Sequence, residues 1–421
     1  MHILFLTHYF PPEVNAPASR TYENAKRWVA AGHRVTVMTC APNHPKGVLY
    51  PGYRNHWIAR EQIDGIDVVR VKTFLSANQG FANRILNYLS FFVSVTCFSP
   101  LVRGVDVVVS TSPQFFCGLA GYLVSRLKRA PWVLEIRDLW PESIIAVGAM
   151  TNRFLIGFLE GLESFMYKRA SRIVSVTDSF TAHIRKRNIP VDKISVIKNG
   201  ADLGRFVAGP RQNRFREELG VGDRFLASYV GTHGMAHSLV TILESAELLR
   251  ERDDVVFLLV GDGAERESLL REKELRGLTN VIMLDQQPKE RMPEIIAASD
   301  ACLVHLKRND LFKTVIPSKI FEAMAMERPI LLGVEGETQR IIEEGRCGLC
   351  FEPENPVQLA AAVIRLADEP ALGVRLGLNG REFVQHSFNR ETLAIHFLDL
   401  LQRTVARKSP CFPKVAKVPT Q

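Results

Sequence analysis

What is scarce in this chain narrows the field first. Its 421 residues hold seven cysteines, scattered rather than clustered. Cys347 and Cys350 form the single C-x-x-C pair, and no second pair of ligands lies nearby to complete a zinc site. Both read as small apolar residues beside a strand. No basic, apolar leader opens the sequence: Met1-His2-Ile3-Leu4-Phe5-Leu6-Thr7 is too short and too uncharged at its front for a signal peptide. It reads as a first buried strand, and reduced thiols in a bacterial-type cytoplasm are expected. No G-x-G-x-x-G follows that strand. Thr7-His8-Tyr9-Phe10-Pro11-Pro12 stands there instead, which argues against a dinucleotide oxidoreductase. No Asp-x-Asp occurs anywhere, so a diphosphate held through Mg²⁺ is not expected and no metal site is assigned. No module mixing aromatic and basic residues is present, which argues against a nucleic-acid partner.

What is there fills two ordinary cores. Hydrophobic residues make up 46% and charged residues 23%, and this length suits two domains of about 200 residues each. The charge is unevenly spread. Residues 1–200 hold 24 Lys/Arg against 13 Asp/Glu, whereas residues 201–400 hold 24 against 32. A basic first half suggests an acidic partner such as anionic lipid, pyrophosphate or nucleic acid, a merely solvated surface being the other reading. Short buried runs, such as Val35–Met38, Val105–Val109, Trp132–Ile136 and Arg172–Val176, alternate with helical stretches at 19–31, 114–129 and 151–170. The pattern restarts at Phe225–Gly231 and continues through Val255–Gly261, Val281–Leu284, Ala301–His305 and Pro329–Gly333. It predicts an α/β chain of two doubly wound, Rossmann-like domains facing across a cleft. The first covers 1–201 and the second 202–388, both of a nucleotide-binding type. A helix over 389–406 is expected to cross back to the first domain, and 407–421 to be a disordered basic tail.

One stretch, 84–103, is nearly as long and apolar as a spanning helix. Asn87, Ser90, Ser94, Thr96, Ser99 and Pro100 weaken it, and a span there would break the first sheet. It reads as a helix packed on the sheet, either fully buried or with one face, including Phe91 and Phe92, free to enter a lipid interface. Arg84 and Arg103 would anchor its ends.

The chemistry concentrates at Thr314-Val-Ile-Pro-Ser-Lys-Ile-Phe-Glu322-Ala-Met-Ala-Met-Glu-Arg-Pro-Ile-Leu-Leu-Gly333. Pro317 and Ser318 predict a helix start, with the helix running over 318–327. Its free N–H groups, with Lys319, suit a pyrophosphate. Glu322, one turn on, can accept both hydroxyls of a ribose, although capping or pairing with Arg328 is the plainer alternative. In the first domain, Asn15, Ser19 and Arg20 open a helix after the first strand. They suit an anionic or hydroxylated acceptor group.

These residues resemble family 4 of the retaining glycosyltransferases, which have the two-domain GT-B fold. The Pro317-Ser-Lys-Ile-Phe-Glu322 run is similar to that family's donor motif. Ala31-Gly-His-Arg-Val-Thr-Val37, Lys193-Ile-Ser-Val-Ile-Lys-Asn-Gly200-Ala-Asp202 with Phe206, and Val260-Gly-Asp-Gly-Ala-Glu-Arg266 with Leu269 match further marks. His8-Tyr9-Phe10-Pro11-Pro12-Glu13 and Arg137-Asp138-Leu139-Trp140-Pro141-Glu142 resemble a subgroup of fucosamine transferases building bacterial surface polysaccharides. The resemblance implies a UDP-sugar donor bound by Gly231, Thr232, His233, Gly234, Gly261, Asp262, Gly263, Arg266, Ser318, Lys319 and Glu322. It implies catalysis by Arg266 and Lys319 on the leaving diphosphate. Asp138 is implied near the sugar and acceptor, as a hydrogen-bond partner or proton acceptor; capping or pairing with Arg137 is the alternative. The acceptor it implies is a polyprenyl-pyrophosphate-linked saccharide, on the inner face of the plasma membrane, with transfer metal-independent and no cofactor. Two departures stand out. Thr314 replaces the family's first glutamate, eight positions before Glu322, and Gly231-Thr-His-Gly-Met-Ala-His237 replaces its Arg/Lys pair. A UDP-sugar epimerase or a non-catalytic UDP-sugar binder therefore stays open as an alternative.

Overall fold

The computed structural model describes residues 1–407 apart from 14, 45, 77–80, 113 and 147–149, and apart from the side chains of 81 and 82. The C-terminal stretch expected to be a disordered tail lies, from 408 on, outside the described residues.

Two sheets organise the chain. The first comprises β1 (His2–Leu6), β2 (Arg34–Cys40), β3 (Ile58–Ile63), β4 (Ile66–Val71), β5 (Val107–Thr111), β6 (Trp132–Ile136), β7 (Arg172–Ser175) and β8 (Ile194–Val196). Their spatial order is β3-β4-β2-β1-β5-β6-β7-β8. The second comprises β9 (Phe225–Val230), β10 (Val255–Val260), β11 (Val281–Leu284), β12 (Ala301–His305), β13 (Ile330–Gly333) and β14 (Gly348–Cys350), in the order β11-β10-β9-β12-β13-β14. The runs of Val, Ile and Leu that mark central strands such as β5, β6 and β10 are buried on both faces, as parallel strands between helical layers must be. The strand order reverses between β1 and β5 in one sheet and between β9 and β12 in the other. Ligands of doubly wound folds bind at such points, beyond the carboxyl ends of the strands.

One pairing departs from the strand–helix alternation. β3 and β4 form an antiparallel hairpin, and Asp64 and Gly65 both adopt positive φ (47° and 78°) in its two-residue turn. The half-polar sequence of β3, Ile58-Ala-Arg-Glu-Gln-Ile63, hides it, because one face of this edge strand meets solvent.

Helices Phe81–Phe98, Phe115–Lys128 and Arg153–Arg169 pack over one face of the first sheet, burying Phe91, Val95, Phe115, Val124, Leu159 and Met166. The polar residues of the first helix stitch it down rather than face water. Ser94 Oγ donates to the Lys72 carbonyl (2.6 Å), Asn87 Nδ2 donates to the Phe74 carbonyl (2.5 Å), and Ser90 Oγ accepts from the Phe74 amide (2.7 Å). Phe91 is 0% exposed, so it cannot belong to a free apolar face. The outward stripe is Leu86, Leu89 and Val93 instead. Among the described residues, no helix is long and apolar enough to cross a membrane.

The opposite face is covered by helix Ala16–Ala30 and by helix Arg390–Ala406, which returns from the end of the chain. Phe397, Leu398 and Leu401 join Ile3, Phe5 and Trp28 in one core, and Trp28 Nε1 donates to the Ala394 carbonyl at 2.9 Å. A second tie joins the halves. Glu337, at the first position of helix Glu337–Gly345, accepts from the amides of Asp178 (2.9 Å) and Ser179 (2.8 Å), at the start of helix Asp178–Lys186. Lys198 lies 3.3 Å from the same carboxylate. Cys347, just before β14, is buried and Cys350, its last residue, is exposed, so the pair presents no common ligand face.

Candidate active site

The turns after β9 and β10 interlock. Gly231, Gly261 and Gly263 have φ of 151°, 153° and 158°. A Cβ on Gly261 would strike the Gly231 carbonyl, and one on Gly263 the His233 carbonyl. Only glycine lets these backbones approach so closely. The His233 amide donates to the Asp262 carbonyl (2.9 Å), and the Glu265 amide to the His233 carbonyl (2.9 Å). Asp262 turns its carboxylate back onto the Gly263 amide (2.8 Å), and the Thr232 carbonyl accepts from the Tyr229 hydroxyl (2.8 Å). Gly234 closes the turn by accepting from the His237 amide at 2.9 Å.

Cationic and imidazole groups line the floor of these turns. Lys319 begins helix Lys319–Ala325, with Ser318 at its N-cap. The helix stops two residues short of the predicted 327 because Glu327 takes the left-handed conformation, φ 56°. The Lys319 ammonium sits 3.7 Å from the Tyr229 ring centroid and, among the described residues, has no hydrogen-bond partner, although it is shielded from solvent. A Cβ on Gly231 would stand only 2.7 Å from it. Burial pushes this ammonium down to about 7. His233 is 0% exposed and, among the described residues, neither ring nitrogen is bonded. Burial, with Arg266 and Lys319 beside it, pushes the imidazole down to about 4, so it is neutral. Arg266, the first residue of helix Arg266–Leu275, pairs with Asp285 at 2.5 Å and leaves its Nε unpartnered. His237 packs against Tyr229, ring centroids 5.9 Å apart. Burial first, then Lys319, pushes it down to about 3.

Glu322 lies one turn beyond Lys319 and, among the described residues, its carboxylate accepts no hydrogen bond. Burial raises its pKa, opposed by Arg390, Lys289, Arg205 and Lys319. It does not pair with Arg328, which donates to the carbonyls of Gly209 and Ala297 (2.9 and 2.8 Å). Sequence reasoning missed Arg205, Lys289 and Arg390, whose place around Glu322 depends on contacts between distant segments. The Arg205 guanidinium holds the Lys289 carbonyl (2.5 Å), the Lys289 ammonium reaches Ser19 Oγ across the cleft (3.1 Å), and Arg390 holds the Gly200 carbonyl (2.7 Å). Thr314 donates to the Leu311 carbonyl (2.6 Å) in a short 3₁₀ turn and brings no charge to the position of the missing glutamate.

On the other side of the cleft the predicted acceptor residues separate. Asn15 caps helix Ala16–Ala30 through the Ala18 amide (2.9 Å), with its Nδ2 unpartnered. Arg20, expected to be free for an acceptor group, is already engaged within the protein. Its guanidinium is spent on Glu135 (2.8 Å), Asn199 (2.9 Å) and the carbonyls of Ile197 and Lys198, tying β6 to the segment after β8. Asp138 follows β6, and its amide donates to Ser112 Oγ at 3.2 Å. Burial pushes its carboxyl up to about 6. It does not pair with Arg137, which donates to the Pro17 carbonyl (3.2 Å). Nearby, oxygen and nitrogen atoms of Glu142, Glu163 and His183 lie within 4.8 Å of one another. The Arg187 guanidinium, 3.2 Å from Glu142 and 3.1 Å from Glu163, already supplies that cluster's cation.

Two doubly wound domains, one of them carrying a cation-lined pair of glycine turns, are the GT-B architecture of glycosyltransferases. Residues 15–200 match the glycosyl transferase 4-like domain, and residues 224–369 match the domain of glycosyl transferases group 1. The chain belongs to that family, family 4 of the glycosyltransferases. It is 23% identical, over 95% of its length and 99% of the other's, to an Escherichia coli protein named as a glycosyl transferase of colanic acid biosynthesis. Among solved structures it is similar to sucrose-phosphate synthase from Thermosynechococcus elongatus (TM-score 0.77, 18% identity, 97% and 100% of the two chains). It is also similar to the Anabaena protein HepE in complex with UDP (TM-score 0.71, 17% identity, 96% and 100%).

Proposed function

We propose that the protein transfers a sugar from a UDP-sugar to a lipid-linked saccharide during synthesis of a bacterial surface polysaccharide, with retention and without a metal ion. The observation that carries this reading is Lys319. A cation removed from water and left without a partner is costly, and an incoming diphosphate supplies the missing anion. The likeness to a UDP-bound protein supports uridine, and the E. coli relative's name supports a surface polysaccharide. In this reading Glu322 takes the ribose hydroxyls. Arg266, Lys319 and the backbone of residues 231–234 and 261–263 meet charge as it builds on the leaving diphosphate. Ser318 contributes its amide to that cradle. Asp138, titrating near neutrality, accepts a hydrogen bond or proton from the acceptor hydroxyl.

The acceptor is read as a polyprenyl pyrophosphate carrying sugar, met from the cytoplasmic side by the basic first half. Leu86, Leu89 and Val93, with Phe154 (93% exposed) and Phe158 (65% exposed) on helix Arg153–Arg169, form the apolar part of the docking face. The deciding experiment is thermal shift with nucleotides and nucleotide sugars, followed by transfer assays in EDTA. UDP should raise the melting temperature and CMP should not, and turnover should survive chelation. Stabilisation by no nucleotide diphosphate, or a chelation loss restored by Mg²⁺, would contradict the reading. A new sugar nucleotide formed from donor alone would indicate an epimerase.

A further inference from the structure

We propose that Asn15, Ser19, Arg137 and Lys289 form an anion subsite for the phosphate that joins the acceptor saccharide to its lipid. The proposal rests on the transfer reading above in assigning the anion to the acceptor.

These donors converge on the first turn of helix Ala16–Ala30. The Arg137 guanidinium donates to the Pro17 carbonyl (3.2 Å) and, among the described residues, forms no ion pair. Burial, opposed by Glu135, pushes it down to about 10, so it is charged at neutral pH. The Lys289 ammonium, coming from the second domain, donates to Ser19 Oγ (3.1 Å), and among the described residues the Ser19 hydroxyl has no acceptor of its own. Asn15 Nδ2 is shielded from solvent without a partner. The backbone adds little. Pro17 has no N–H, and the Ala18 and Ser19 amides are taken by the Asn15 side chain (2.9 Å) and carbonyl (3.0 Å). Side chains from three separate segments, rather than a helix end, therefore make this feature.

The carboxylates on this side are committed elsewhere. Glu13 accepts from the amides of Asn43 and His44 (2.9 Å each), Glu23 from Arg27 (2.6 Å) and Glu135 from Arg20 (2.8 Å). Two cations, a carboxamide N–H and a hydroxyl hydrogen thus meet in the cleft, and the Pro17 carbonyl beside them is already in use. A sugar hydroxyl must donate as well as accept, so it would leave its own proton unpaired there. An oxyanion only accepts, and it also supplies the missing negative charge. The donor's diphosphate has Lys319, Arg266 and the glycine turns of the second domain. Arg137 directly precedes Asp138, the residue read at the acceptor hydroxyl, so the anion sits near the reacting end of the acceptor. A phosphate linking a short saccharide to its carrier reaches that point. Once there, its oxygens replace Ser19 as the partner of Lys289, so the acceptor held by the first domain also draws the second domain across the cleft.

The test uses the full chain saturated with UDP, which fills the donor's own diphosphate site. Geranyl diphosphate and inorganic pyrophosphate are titrated by calorimetry, with geraniol as the uncharged control and methyl glucuronide as the carboxylate control. Both diphosphates should bind, and neither control should. Arg137→Gln should weaken geranyl diphosphate by about tenfold or more, the worth of a hydrogen bond to a charged group. Asn15→Asp is the second variant. It keeps the Oδ1 that caps the Ala18 amide, so the helix start survives, but it sets a negative charge against the anion. It should reduce diphosphate binding below detection. UDP affinity should be unchanged in both variants. Four results would overturn the proposal: no diphosphate binding beside UDP, a control binding as tightly as geranyl diphosphate, full diphosphate affinity in both variants, or a parallel loss of UDP affinity. Failure of UDP to stabilise the unmutated protein would instead strike the transfer reading, so the two failures are distinguishable.

Discussion

At the scale of single residues, the turns after β9 and β10 hold buried charge that stability alone would not select. Lys319 is pushed down to about 7 from an ordinary 10.5. The sign follows from proton counting: between those values the unfolded chain binds the proton that the folded chain has lost, so stability rises with pH across that window, and the residue weighs against folding below it. Lys319→Met is therefore expected to raise the urea midpoint at pH 7, with the gain shrinking toward pH 10, while transfer falls steeply. Calorimetry of UDP binding in buffers of different ionisation heat should register proton uptake, because the diphosphate restores the ammonium. An unchanged midpoint together with full turnover would place the diphosphate elsewhere. Glu322→Ala is expected to weaken UDP by about 1–3 kcal/mol, the worth of hydrogen bonds to a charged group. Calorimetric affinity equal to that of the unmutated protein would remove Glu322 from the ribose. Lys319 and Glu322 were legible in the sequence because the Pro-Ser start and one helical turn fix their spacing. Arg205, Lys289 and Arg390 were not, since three separate segments bring them to Glu322. Arg20 misled for the converse reason: an arginine at a helix start looks free until β6 closes on it.

At the scale of elements, glycine turns and helix ends do the positioning. A Cβ on Gly263 meets the His233 carbonyl carbon at 2.7 Å and its amide nitrogen at 2.9 Å, and φ of 158° is itself unfavourable for other residues. Gly263→Ala is expected to cost about 1–3 kcal/mol of stability in urea unfolding and to weaken UDP with it, because the displaced His233 loop forms one wall of the cradle. A variant that matches the unmutated protein in both measurements would mean the turn relaxes freely. Glu337→Ala tests the tie between halves. It removes two amide acceptors from the start of helix Asp178–Lys186, a loss of about 1 kcal/mol or more, and small-angle scattering should report a wider average separation of the halves. Nearly every parallel strand was readable as a run of β-branched and aliphatic residues. The β3–β4 hairpin was not, because its outer face is polar and its pairing depends on a two-residue turn rather than on a hydrophobic run.

For the molecule as a whole, the uneven charge and the outward apolar stripe combine into one expectation about membranes. Cosedimentation with anionic liposomes should occur at low salt and weaken as salt rises, since charges near a lipid surface act only within a Debye length. Replacing Phe154 and Phe158 by Ser should weaken it further, whereas the buried Phe91 is unsuited to the test because its loss would open the core. Indifference to anionic liposomes would make a soluble acceptor the better reading. The sequence left two readings of the stretch 84–103, fully buried or with Phe91 and Phe92 on a free face, and the structure buries Phe91 and packs Phe92 against the same core. Periodicity alone does not distinguish the two faces of a helix whose serines bond to a neighbouring strand.

The return of helix Arg390–Ala406 to the first sheet also sets the order of events during synthesis. Ile3, Phe5 and Trp28 leave the ribosome well before Phe397, Leu398 and Leu401, and the core they share cannot close until some two hundred further residues beyond β8 have been made. At the usual pace of translation that is a wait of roughly 10–40 s. For that interval the first domain carries an uncovered apolar face beside a growing chain. Its maturation is thus governed by the clock of elongation rather than by its own folding rate, and a pause late in the message would lengthen its exposure to chaperones and to other nascent chains.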